Sequence, residues 1–249
     1  MTQVPALTAP RTAKTLRTAE AVFDNGLRVI AVRKPGVPIV ELRLRMPFLS
    51  AKPAHPAQAT LLGEALLTGA GALDRAGLAA AIQGLGADLN ASVDADRIVV
   101  GGNVLATDLA ALLGIVASLV TEPTYAKDEV ATERERVVEK LTIARSRPGL
   151  IAGEALSKRM WGDHPYAVDL AEADDVAAVT PAQLRALHKA YVRPGGGVLV
   201  LVGDVAPAKM IDRAQHALSS WTGPAPRNRV PALPVPDAEP LLVIDRPGS

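Results

Sequence analysis

The chain has 249 residues, 49% hydrophobic and 3% aromatic, with 27 Lys+Arg against 26 Asp+Glu for a formal net charge of +1. That length and apolar content can bury a core for one large domain or two small ones, while the charge balance and scarce aromatics argue against nucleic acid or an anionic membrane as partner. The lack of cysteine excludes disulfides, thiolate metal sites and a cysteine nucleophile.

Residues 1–20, rich in Thr, Pro and Ala, are expected to form a flexible arm, with structure beginning near Ala21. Arg11, Lys14 and Arg17 precede no apolar run of signal-peptide kind, and no stretch approaches the eighteen apolar residues of a membrane span, so a soluble, cytoplasmic protein is expected. Val40, Leu42, Leu44 and Met46 alternate with Glu41, Arg43 and Arg45, the period of a strand with one face on a core. Leu27 to Val32 is expected to pair with it through a turn near Pro35-Gly36. Helices are expected over Ala57–Leu67 and Leu73–Leu85, then a hairpin of Asp88–Val93 and Arg97–Val104 turned at Asp94-Ala95-Asp96.

Leu109, Leu112, Leu113, Val116, Leu119 and Val120 mark one face of a helix, with Thr107 as its expected N-cap. Lys127 to Arg145 is a long charged helix with a narrow stripe of Val130, Val137, Leu141 and Ala144. Thr180-Pro181-Ala182-Gln183 is a capping box opening a helix through Leu184, Leu187 and Tyr191. The apolar run Val198 to Val202 suits a central strand buried on both sides, and a helix follows from Pro207 to about Ser219. These elements give an α+β fold, a mostly antiparallel twisted sheet covered by helices on one face.

No two of His55, His164, His188 and His216 have the three-to-five spacing of a helical metal pair. His188 lies on the apolar face of its helix, as a buried hydrogen-bonded residue would. His164 is expected to organise a turn.

Several motifs, in order, resemble the pitrilysin/insulinase family of inverted-motif zinc peptidases. Phe23-Asp24-Asn25-Gly26-Leu27-Arg28-Val29 is similar to the family's opening strand, Leu85-Gly86-Ala87-Asp88-Leu89-Asn90-Ala91 to its substrate-edge strand, and Gly162-Asp163-His164-Pro165-Tyr166 to its His-Pro-Tyr element. Tyr191-Val192-Arg193-Pro194 and Val202-Gly203-Asp204-Val205 continue the series. Ala59 to Gly69 looks like the helix that carries His-x-x-Glu-His, two metal ligands and a general base. Counted back from Gly69, the His positions fall on Thr60 and Glu64 and the base on Gly63. The third ligand, a Glu about seventy-six residues on, falls on Lys140 within Glu133-Arg134-Glu135-Arg136-Val137-Val138-Glu139-Lys140-Leu141. A slip of one residue would place Glu139 there instead.

The resemblance implies a non-catalytic subunit with a degenerate motif at Thr60, Gly63, Glu64 and Lys140, no catalytic residue and no metal of its own. It implies a heterodimer with a catalytic homologue, which alone would hold zinc, around a peptide or protein substrate; Asn90, Ala91 and Ser92 are the candidate peptide-binding edge. Residues 21–223 would form a peptidase-like N-terminal half, 224–240 a proline-rich linker and 241–249 the start of a second, similar half. Two other readings stay open: a structural or interaction module without peptidase role, and an active metalloendopeptidase with displaced ligands.

Overall fold

The computed structural model describes residues 15–49, 52–167, 170–227, 229–235 and 240–244. Six strands make one sheet: β1 (Arg17–Val22), β2 (Arg28–Arg33), β3 (Ile39–Pro47), β4 (Asp88–Val93), β5 (Arg97–Leu105) and β6 (Val198–Gly203), in spatial order β1-β2-β6-β3-β5-β4. Every neighbouring pair is antiparallel except β2–β6. The helices are α1 (His55–Ala65), α2 (Arg75–Gly84), α3 (Leu109–Thr121), α4 (Lys127–Ala144), α5 (Pro148–Trp161), α6 (Ala173–Ala177), α7 (Pro181–Tyr191) and α8 (Pro207–Leu218). This is the α+β architecture expected from the pattern. None of these helices is long and apolar enough to cross a membrane.

The alternation in β3 sets the layering. Val40, Leu42, Leu44 and Met46 are fully buried, and they share a core with Leu199 and Leu201 of β6, Ile98 and Val100 of β5 and the apolar faces of α3 and α8. Glu41, Arg43 and Arg45 lie on the opposite, open face. The strand β6 is central but covered on one side only, because Val198, Val200 and Val202 are half-buried on that open face.

Strands β2 and β3 are not partners, contrary to the expected hairpin; β6 inserts between them. The connection Lys34–Pro38 holds two prolines, which cannot donate to a ladder, and so does not close a tight turn. Lys34 N–H instead donates to Gly203 O (2.9 Å), and a side chain at Gly203 would meet Ile39 O at 2.4 Å, so only glycine lets β6 end in this slot.

Part of the expected arm is strand, since β1 pairs with β2 from Arg17 onward; residues 1–14 lie outside the described residues. The α3 N-cap is Asp108, not Thr107, and no side chain caps it; Thr107 Oγ1 donates to Asp108 Oδ2 (2.8 Å). Helix α5, not anticipated, has no buried residue and hence no apolar stripe to betray it. The capping box is present as expected, Thr180 and Gln183 satisfying each other's backbone N–H groups. The described residues beyond Trp221, residues 241–244 included, form neither helix nor strand. His164 fixes part of this segment: its Nδ1 accepts from Tyr166 N–H (3.1 Å) and its Nε2 donates to Pro231 O (3.2 Å).

Candidate functional site

Helix α1 starts at a proline in its first turn and buries Ala59, Leu61, Leu62 and Ala65, which leaves Thr60, Gly63 and Glu64 facing away from the core. Thr60 Oγ1 donates to Pro56 O one turn back (2.8 Å), so its hydroxyl proton is held by the helix backbone. Gly63 faces β4: a Cβ there would sit 3.5 Å from Val93 N and 3.6 Å from Ser92 Cα, ordinary contact distances. Glu64 Oε1 accepts from Lys140 Nζ of α4 at 2.9 Å, across 76 residues of sequence.

That ion pair fixes the register between the two helices, because Lys140 and not Glu139 meets Glu64. The pair is well exposed, the lysine side chain being 56% and the glutamate 41% accessible. The long lysine stem carries the charge out to water, so screening limits the strength of the pair.

One turn-pair upstream on α4, Glu133 is 2% exposed and sits between Arg75 (2.7 Å) and Arg136 (2.9 Å), while Arg75 also contacts Glu129. This carboxylate ties α2 to α4 beneath the motif face. It was not singled out in the sequence, yet its signal is there: Val130, Glu133, Val137 and Leu141 follow the three-and-four spacing of the buried stripe, with a carboxylate at one apolar position.

The strand β4 is one edge of the sheet, with Asn90 and Ser92 exposed and Ala91 half-buried. Asp94 N–H donates to Arg97 O (2.8 Å) at the hairpin turn. By the alternation of an antiparallel ladder, the backbone groups of Leu89, Ala91 and Val93 then point to the free edge. Gly63 lies against the Val93 end of that edge. Next to it, between Thr60, Phe48, the Asp94–Asp96 turn and Tyr166, is a cavity of about 480 Å³. Tyr166 Oη donates to Asp96 Oδ2 (3.2 Å), and desolvation first and the Asp96 charge second push its phenol up.

The chemistry of this donor set does not fit zinc. Thr60 offers a hydroxyl already engaged, Glu64 one carboxylate, and Lys140 an ammonium with no lone pair to share. Among the described residues, no three His, Asp or Glu side chains gather as a metal would require. The two remaining buried histidines have structural partners. His188 Nε2 donates to Val120 O (3.0 Å) and its Nδ1 accepts from Tyr125 Oη (2.8 Å), while His55 Nδ1 donates to Leu49 O (3.1 Å).

A mostly antiparallel sheet with helices packed on its buried face, and helix α1 beside its β4 edge, is the frame in which these residues lie. Two family models match the chain, Insulinase (Peptidase family M16) over residues 55–174 and Peptidase M16 inactive domain over residues 178–249. The chain belongs to this insulinase-type peptidase family. An uncharacterized zinc protease of Mycobacterium leprae is 28% identical over 135 residues, 54% of this chain and 30% of the relative. A counterpart from Streptomyces coelicolor is 24% identical over 165 residues, 66% of this chain and 34% of the relative. The match thus spans about a third of the length of these relatives. Among solved structures, a peptidase M16 inactive domain from Pseudomonas fluorescens superposes with TM-score 0.81 at 27% identity, over 90% of this chain and 55% of that one. The first half of the periplasmic protease PqqL from Escherichia coli shares the fold at TM-score 0.79 and 21% identity, over 89% of this chain and 49% of that one.

Proposed function

We propose that this chain is a non-catalytic, degenerate-site unit of an insulinase-type metallopeptidase, acting in a heterodimer with a catalytic homologue that holds the zinc. The observation that carries the reading is the Lys140–Glu64 pair, a salt bridge between the two helices at positions where the family resemblance implies metal ligands. Gly63 at the base position removes the group that would activate water. The free edge at Leu89, Ala91 and Val93 keeps what a peptide needs in order to add as a strand, with Asn90 and Ser92 flanking it on the open face. Peptide or protein substrate would therefore be held here and cut by the partner. The likeness to the Pseudomonas inactive domain and to the first half of PqqL supports one half of a two-half arrangement.

Co-expression with an intact homologue tests this directly. The expected result is a stable complex whose proteolysis of an unfolded substrate exceeds that of the homologue alone, and falls when Ala91→Pro blocks the edge. A complex with no gain in proteolysis would favour the structural-module reading. Proteolysis by this chain alone, sensitive to a chelator, would favour displaced ligands.

A further inference from the structure

On the helical side of the molecule, a second cavity of about 590 Å³ lies between the end of α3, the α7 face and residues 220–224. Three cations border it, Arg185, Lys189 and Arg193, and among the described residues no carboxylate lines it. Elsewhere in the chain the arginines Arg28, Arg75 and Arg145 sit against acidic side chains. Here the guanidinium groups are anchored to backbone carbonyls instead. Arg185 Nη2 donates to Tyr125 O (3.0 Å), and Arg193 Nε donates to Lys189 O (2.7 Å). The Arg193 stem also rests on Gly223, where a Cβ would meet its Cγ and Cδ at 3.2 Å. Each fork is thereby held in place with N–H donors left over. Glu122, the carboxylate next to this rim in sequence, is turned over Gly71.

We propose that this groove binds an acidic peptide segment in extended conformation. Arg185 and Lys189 lie one turn apart on α7, about 6 Å along its axis, and Arg193 follows just past the helix end at Tyr191. Alternate side chains of an extended chain recur at about 6.7 Å, so carboxylates at every second residue meet successive cations. A buried Trp221 forms part of the wall and reports occupancy. Cations at the end of α7 also favour its macrodipole, but that role uses no ligand. The inference is independent of the metal question.

The test is a titration of the Trp161→Phe chain, whose only tryptophan is Trp221, with the blocked peptide Glu-Ala-Glu-Ala-Glu and its Gln-Ala-Gln-Ala-Gln counterpart, followed by indole fluorescence. Saturable binding of the glutamate peptide alone is expected. It should weaken about tenfold or more in Lys189→Gln/Arg193→Gln, two charge-assisted contacts being lost, and be retained in Lys189→Arg and in Lys127→Gln, which lies outside the groove. Unfolding midpoints establish that the variants are folded. Equal binding of both peptides, no saturation, or a loss in Lys127→Gln as large as in the double variant would overturn the proposal. So would displacement of the glutamate peptide by inorganic phosphate at equal charge concentration, which would make the groove a simple anion site.

Discussion

At the scale of single residues, the outcome turns on what each motif position does with its hydrogen bonds. Thr60 spends its donor on Pro56 O, and Lys140 spends one on Glu64. Both side chains of the ion pair are well exposed, so its contribution belongs with surface pairs, about 0–1 kcal/mol. A double-mutant cycle with Lys140→Met and Glu64→Leu in urea is expected to return a coupling within that range, falling further in high salt. Restoring Thr60→His, Gly63→Glu, Glu64→His and Lys140→Glu together is expected to create zinc affinity absent from the parent, read by calorimetric titration. A Cβ at position 63 is accommodated, since it meets β4 only at contact distance. Activity is expected to lag behind, because the groups that would orient new imidazoles are not fixed by the ligands alone.

The buried histidines carry a pH dependence whose sign follows from their surroundings. Burial holds His188 below its ordinary value, opposed in part by the bond to Val120 O, and burial also lowers His55, opposed by Leu49 O. The unfolded chain therefore binds more protons than the native one once pH drops below about 6.5. Their stabilisation is fully present above that pH and is lost as pH falls toward the folded-state values. Denaturant unfolding at pH 7.5, 6.0 and 5.0 is expected to show this decline, with a shallower slope in His188→Gln.

At the scale of elements, the clamp between α2 and α4 is the part with most at stake. Glu133→Gln leaves Arg75 and Arg136 facing a neutral group, and because both arginines can rehydrate, the expected cost is about 1–3 kcal/mol. Thermal unfolding compared with Glu135→Gln, on the exposed face of the same helix, checks it. Most elements were legible in the sequence where a period met a core: β3, the β4–β5 hairpin, the apolar face of α3 and the capping box of α7. The sequence was silent where burial was slight or pairing was non-local. Helix α5 buries nothing, and the parallel contact of β2 with β6 joins segments far apart in sequence that no local turn signal specifies. The candidate site was legible in its register, since Glu64 and Lys140 do meet, but not in its exposure, which depends on where a lysine stem runs.

For the whole molecule, an edge strand beside helix α1 and a fold shared with other insulinase-type peptidase domains are the features on which the proposed peptide-binding role rests. An unpaired sheet edge of this kind is an aggregation liability unless something covers it. The proposed role requires a chain that carries no metal centre of its own. The most direct measurement is elemental analysis of the purified protein after dialysis without chelator. Zinc is expected far below one per chain and unchanged by Glu64→Ala; about one zinc per chain, lost in that variant, would overturn the non-catalytic reading.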